Sequence, residues 1–401
     1  MTGGQRRLGV VLATLCLTEI TSWGVLFYAF PVLVPAIARD TGWSPATLTA
    51  ALSVALLVSA LTGIAVGKVL DRHGPRRLMT AGSIVGVAAV VLIATAPSLP
   101  WFFFGWVCAG LAMAATFYPP AFAALTRWYG PNRVRALTTL TLVAGFASTV
   151  FAPLTALLAD NLGWRNTYLV LAVILAVITV PGHWFGLRRP WPPVTADATT
   201  SVSKSRDVRS PAFVALVAAF SLTALGTYAV VVNLVALLSE RGLSTGTAAI
   251  ALGLGGAGQV AGRLGFATLV NRTGVRTRTA VVIVILAATT TLLGALTSPA
   301  SLIVASVLAG MARGVFTLLQ ATAVADRWGT AGYGRLSGLL SAPLTIMSAV
   351  APYTGAVLAA VTGSYSTAFV VLGVVTVAAV PVSFAARPAV AEAPASSDSR
   401  S

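Results

Sequence analysis

Charge is what this sequence most conspicuously lacks: only 9% of its 401 residues are Asp, Glu, Lys or Arg, and just 10 are acidic. Soluble domains carry about a quarter of their residues charged, so water is the wrong solvent for this chain. Cysteine occurs twice, as Cys16 and Cys108, each inside an apolar stretch. That excludes a disulfide framework and a cysteine-based metal site, and leaves two small packing residues. There is no phosphate loop ending in Lys-Ser/Thr, no His-Glu metalloprotease pair and no serine nucleophile elbow. Nucleotide-driven work and hydrolytic catalysis therefore have no residues to carry them. Gly253, Gly255 and Gly258 have dinucleotide-fingerprint spacing, but they sit in an apolar run without a preceding strand. They read as a small-residue face for helix packing. No enzyme activity, cofactor or metal is expected.

What is present is hydrophobicity, 57% of the chain, in continuous segments longer than about 18 residues that are apolar on every side. Lipid leaves a backbone only helices or a closed barrel, and the alternation of barrel strands is missing. Twelve spanning helices are expected, near 8–38, 45–70, 78–96, 101–125, 136–158, 167–187, 211–238, 247–270, 279–296, 300–325, 336–359 and 367–386. Ser44 before Pro45, and Ser210 before Pro211, place a capping side chain ahead of a first-turn proline. The first run is too long, and lacks the cleavage site, to be a removable signal peptide.

The net charge of +16 invites a nucleic-acid reading, and the placement of the cations argues against it. Of 26 basic residues, only Arg39, Arg165 and Arg241 fall in loops on one side, and Arg263 and Arg313 fall inside spans. The others lie in loops and tails on the opposite side. Basic residues are retained in the cytoplasm, so both termini are expected there, in a multi-pass protein of the cell membrane. Strong Ala, Val, Gly and Arg usage suggests a GC-rich bacterial source.

The stretch Arg188 to Ser210, rich in Pro, Ser and Thr, interrupts the rhythm after six spans. The expected organisation is a six-helix bundle over 1–187, a cytoplasmic linker over 188–210, a second bundle over 211–386 and a disordered tail over 387–401. A shift of 200 residues aligns Gly42 and Ser44 with Gly242 and Ser244, and Arg72, Gly74 and Arg76 with Arg272, Gly274 and Arg276. It also aligns Arg127-Trp128 with Arg327-Trp328, Ser98 with Ser298 and Arg135 with Arg335. One constant offset at loops and helix ends is the mark of two parallel repeats with a substrate site between them.

The run Gly67-Lys68-Val69-Leu70-Asp71-Arg72-His73-Gly74-Pro75-Arg76-Arg77 resembles the signature loop between the second and third helices of the major facilitator superfamily. In the second copy Ala267 replaces Gly67 and Asn271 replaces Asp71. The resemblance implies an all-α, twelve-helix fold of two pseudo-symmetric bundles. It also implies a gate lock in which Gly67 permits close helix approach and Asp71 faces the positive start of the eleventh helix near Leu336. Arg72 and Arg76 would pair across the interface, and Gly74 completes the motif. Tyr28-Ala29-Phe30-Pro31, Gly42-Trp43-Ser44 and Gly262-Arg263-Leu264 further resemble bacterial relatives of the monocarboxylate transporters and oxalate-formate exchangers. The chain departs from that pattern at Val32, where animal carriers place a lysine, and at Gln259, where an acid precedes the eighth-helix arginine.

Three strongly ionisable side chains lie well inside the spans: Glu19, Arg263 and Arg313. Their counterparts at the 200-residue offset are Ala219, Gly63 and Met113, so the duplicated fold does not require them, while each costs several kcal/mol in hydrocarbon. A guanidinium offers a planar fork that fits a carboxylate and keeps its charge, which is also the role the resemblance implies for Arg263. Two arginines against one glutamate favour an anion. Glu19 is the candidate proton-coupling group. Tyr28, Tyr118, Asn233, Gln259 and Gln320 are polar candidates for completing the site, with interhelical tying as the alternative use of each. His183 reads as a packing or interfacial residue.

The expected function is secondary active transport of a small organic anion, a monocarboxylate foremost, by a monomer driven by an ion or substrate gradient, with protons as a candidate partner. One alternative is a drug or metabolite efflux antiporter, although the fifth span lacks the Gly-Pro-x-x-Gly-Gly run of many such proteins. The other is a membrane sensor that does not transport.

Overall fold

The structure, a computed structural model, describes residues 3–191, 210–328 and 333–386. The middle of the expected linker, 192–209, and the expected tail, 387–401, lie outside the described residues.

Ten stretches are long and apolar enough to cross a membrane on composition. Two adjustments make them twelve spans among the described residues. The helix Ala147–Gly186 is broken at Gly163, whose φ of 73° and ψ of 166° turn the chain, so it forms the outer part of the fifth span and all of the sixth. Thr245–Arg272 is the eighth span; its glycine-rich, arginine-containing composition keeps it out of the ten. The remaining spans are a first one from Gly3 to Thr41, then Pro45–His73, Pro75–Ala94, Leu99–Thr116 continued by Tyr118–Tyr129, and Arg133–Ala144 leading into the fifth. After residue 210 come Pro211–Glu240, the eighth span, Val275–Ala295, Pro299–Thr322, Tyr333–Thr362 and Tyr365–Ala385.

The duplication seen in the sequence is visible in the termini of the helices. Ser44 accepts a hydrogen bond from the Thr47 amide and Ser244 from the Thr247 amide, at 3.1 and 3.2 Å, each cap worth about 1 kcal/mol. Gly42 and Gly242 both take positive φ, as do Gly163 and Gly363. On the face away from the basic loops, an acid at the end of each half's first helix holds the start of its last. Asp40 accepts from Trp164 Nε1 at 2.9 Å and lies 3.6 Å from Arg165. Glu240 accepts from the Tyr365 amide at 2.6 Å and from the Ser366 hydroxyl at 2.8 Å. A cation then meets the end of the third helix of each half, from different sources: Arg165 donates to the Ala94 carbonyl and Arg241 to the Gly294 carbonyl.

The two halves meet chiefly along two seams, the second span against the eleventh and the fifth against the eighth, with a smaller contact of the first span against the seventh. Near the far face one continuous apolar cluster joins both halves, including Leu33, Leu48, Leu52, Val235, Leu238 and Leu252, and Ser53 accepts from the Tyr353 amide across the seam at 3.2 Å. Near the basic face the buried apolar residues separate into one cluster per half. The halves are thus sealed at the far face and parted at the basic face.

Helices approach closely where glycine removes the side chain. Gly255, Gly258 and Gly262 of the eighth span lie against backbone carbonyls of Ser306, Val307 and Met311 in the tenth. The fingerprint-like glycine spacing is therefore a packing surface on a helix, where dispersion contacts rather than a hydrophobic drive hold the pair.

Candidate functional site

Three spans of the first half are irregular at mid-depth. The first makes a π-helical turn over Gly24–Tyr28, one turn beyond Glu19. The fourth breaks at Phe117, whose extended ψ of −172° answers the demand of Pro119 and Pro120, which cannot continue the hydrogen-bond ladder behind them. The fifth turns at Gly145 and Phe146 between its two helices. Irregular backbone at membrane depth persists only where it is buried in protein or lines a cavity. Trp23 stacks on Phe117 with ring centres 4.0 Å apart and lies 5.3 Å from Tyr118 and 6.4 Å from Tyr28, so the breaks of the first and fourth spans share one aromatic cluster.

Against this cluster the second half presents its arginines. Arg263 is buried, at 8% exposure, and its Nη1 donates across the seam to the carbonyl of Thr141. That carbonyl also accepts the Gly145 amide at 3.1 Å, at the turn in the fifth span. Arg313 donates from Nε to Gln259 Oε1 at 2.6 Å. The acceptor beside Arg313 is thus a neutral amide, and no charge is cancelled. Arg263 Nε and Arg313 Nη2 are buried without a hydrogen-bond partner. Three ion pairs occur among the described residues, Asp71 with Arg127, Asp40 with Arg165 and Arg278 with Asp326, and none involves Glu19, Arg263 or Arg313. Glu19 is at 0% exposure, and neither carboxylate oxygen has a hydrogen-bond partner.

Of the sequence candidates, Tyr28, Tyr118, Gln259, Arg263, Arg313 and Glu19 converge. Tyr118 lies within electrostatic reach of Arg263, Glu19, Tyr28 and Tyr228. Asn233 stands apart: its amide donates to the carbonyls of Ala229 and Pro352 at 2.9 and 3.2 Å, tying the seventh span to the eleventh. Gln320 lies two turns from Arg313 on the tenth span, half-buried. His183 is buried and bonded to Ser83 Oγ at 2.8 Å, between the sixth and third spans. Two members of the cluster escaped the sequence reading. Tyr228, within electrostatic reach of Arg313, Arg263 and Tyr28, is the 200-residue counterpart of Tyr28, a signal the repeat already carried. The Thr141 carbonyl had none, because a backbone group has no sequence signature.

The signature loop is engaged within its own half. Asp71 pairs with Arg127 at 2.6 Å and is 57% exposed. Its backbone carbonyl accepts from Trp191 Nε1 at 3.1 Å, and Trp191 lies under the Arg127 guanidinium. Arg76 donates from Nε to the Trp184 carbonyl at 2.8 Å and covers the Trp184 ring, so its partner is the sixth span rather than the other half. Arg72 is exposed, and a side chain at Gly67 would meet open space. These positions accord with halves parted at the basic face.

The model of the Major Facilitator Superfamily matches this chain over residues 15–300 and 222–400. The chain belongs to that superfamily. It is accordingly a multi-pass membrane protein with the fold of that superfamily. A bacterial homologue of the human lysosomal transporter Spinster, solved inward-facing and occupied, superposes with a TM-score of 0.68 over 94% of both chains at 16% identity, which is agreement of fold. An uncharacterised MFS-type transporter of Bacillus subtilis is 23% identical over 40% of this chain and 39% of its own length. Monocarboxylate transporter 13 of Bos taurus is 25% identical over 88% of this chain and 82% of its own. Multidrug resistance protein MdtL of Klebsiella pneumoniae is 28% identical over 55% of this chain and 57% of its own. The matches to the first of these relatives and to human monocarboxylate transporter 11 span 39% and 29% of those proteins. The family model establishes the superfamily, and relatives this distant leave the cargo open.

Proposed function

We propose that this superfamily member is a secondary active carrier of a small organic anion, a monocarboxylate foremost, working by rocking of the halves 1–187 and 211–386 about the site between them. The observation that carries the reading is the pair of mid-membrane guanidiniums with unused N–H groups and no carboxylate in contact. Arg263 holds a neutral carbonyl of the opposite half and Arg313 a neutral amide; a substrate carboxylate is the stronger acceptor for both. Its arrival would release Thr141 and so loosen the seam between the fifth and eighth spans, coupling binding to movement. Tyr28, Tyr118 and Tyr228 would complete hydrogen bonds to the substrate. Glu19, dry and outside any ion pair, would exchange a proton as its surroundings wet and dry. When the basic face closes, Gly67 and Asp71 would meet the eleventh span and lock it. With the basic face cytoplasmic, both termini lie on the cytoplasmic side of the cell membrane and the described arrangement opens inward.

The name of the bovine relative favours a carboxylate, and that of MdtL supports the second reading, drug efflux. The unneutralised arginines weigh against a cationic drug. The deciding measurement is uptake and counterflow in proteoliposomes with a panel of mono- and dicarboxylates and a cationic dye, with and without a pH gradient. Saturable exchange of at least one carboxylate is expected. Dye movement with no carboxylate exchange would replace this reading with efflux, and specific ligand binding without any flux would replace it with a sensor.

A further inference from the structure

A cavity of about 370 Å³ opens on the basic face, far from the central site and within the first half. Its wall carries His73, Arg76, Arg77, Arg188, Arg189 and Trp191, and among the described residues no carboxylate lines it. We propose that this cavity binds a phosphate-bearing anion, the headgroup of an acidic phospholipid.

Basic loops on this face follow from membrane topology alone, and topology asks only for their number. Convergence on one concavity is a further step, because gathered like charges repel each other unless an anion sits among them. Elsewhere on the same face arginines meet acids: Arg127 pairs with Asp71 and Arg278 with Asp326. Around the cavity two of the four arginines are held instead by aromatic faces. The Arg76 guanidinium lies 4.1 Å from the Trp184 ring centre and Arg188 lies 4.5 Å from that of Phe185, which orients both without neutralising either. Arg76 uses only Nε, on the Trp184 carbonyl, which leaves its terminal nitrogens for a phosphate oxygen.

The helix Pro75–Ala94 begins at the cavity with Gly74 as its cap and no side-chain hydrogen bond there. Its free amides add a positive end to the same space. A side chain at Gly74 would press on Trp191, whose ring atoms lie 3.0 Å from the position of its first carbon; glycine lets the indole close one wall. Trp184 and Phe185 stand beside the cavity with 39% and 59% of their surface exposed, as aromatic residues do at headgroup depth. The cavity therefore lies where a lipid phosphate is found, and pockets of this charge on the cytoplasmic side suit anionic headgroups. An occupant would bridge the signature loop, through Arg76 and Arg77, to the end of the sixth span, through Arg188 and Arg189.

The test needs no transport readout, so it stands or falls apart from the cargo. The delipidated full chain would be titrated with phosphatidylglycerol, phosphatidylcholine and inorganic phosphate, with bound lipid read by native mass spectrometry and stability by thermal unfolding. The variants are Arg77→Gln/Arg188→Gln/Arg189→Gln and, as a control of similar kind on the same face outside the cavity, Arg133→Gln/Arg135→Gln. Phosphatidylglycerol is expected to bind and stabilise in preference to phosphatidylcholine, with affinity falling about a hundredfold in the triple variant and little in the control. Millimolar phosphate that stabilises to the same degree and competes with the lipid would support the phosphate site and make free phosphate a source. Equal losses in both variants, or no preference for the acidic lipid, would overturn the proposal. The single Arg189→Gln variant, expected to lose part of the preference, keeps the test open if the triple variant does not fold.

Discussion

The first and second halves are built on one plan and depart from it in opposite ways. At the level of the site the first half gives up regular backbone: its spans turn at Gly24–Tyr28, Phe117 and Gly145, whereas the second half is helical at the positions 200 residues on. The second half keeps its helices and takes on charge, Arg263 and Arg313, where the first half has Gly63 and Met113. Toward the far face the halves agree again, in the Asp40 and Glu240 clamps and the paired caps of Ser44 and Ser244. Shared features stabilise the bundles, and the proposed site lies where the copies diverge. A helix with intact hydrogen bonds can carry a charge to mid-depth, while a broken helix offers carbonyls and space to meet it.

The comparison can be broken most sharply at Arg263. Arg263→Ala should lower affinity for the transported anion about tenfold to a hundredfold, the worth of charge-assisted hydrogen bonds, with folding preserved; tryptophan-quench or isotope binding on purified protein would measure it. Unchanged affinity would move the site away from the seam. On the first half, Glu19→Gln should leave counterflow at equal pH nearly intact and remove accumulation driven by a pH gradient. If accumulation survives, Glu19 is not the coupling group. The smallest effects belong to the repeated features. Asp40→Asn and Glu240→Gln should each cost about 1 to 2 kcal/mol of stability and leave binding alone, which paired thermal unfolding can check. A large transport defect in only one of them would mean that the clamps are not equivalent.

Much of the fold was open to reading without coordinates. Span number, the serine caps and the 200-residue repeat depend on residues near each other in the chain, and hydropathy sums along a segment. The proposed site was legible as a set of residue types, and the fold brings Arg263, Arg313, Glu19, Tyr28, Tyr118 and Gln259 near one another. Asn233 shows the limit: a polar residue in a span reads the same whether it faces a cavity or ties two helices, and here it ties the seventh span to the eleventh. Arg76 was expected across the interface and is instead held by Trp184. With the basic face parted, the sixth span is the surface left within its reach.

By itself the sequence determined a lipid solvent, a helical fold, a doubled architecture and permanent charge at mid-depth, because each follows from composition and spacing in one dimension. The tertiary structure alone decided what those charges meet. Arg313 finds Gln259 across 54 residues and Arg263 finds the Thr141 carbonyl across 122. Such pairings arise from how glycine-lined helices pack and where a neighbouring helix breaks, and the backbone carbonyl that receives Arg263 is common to every residue type.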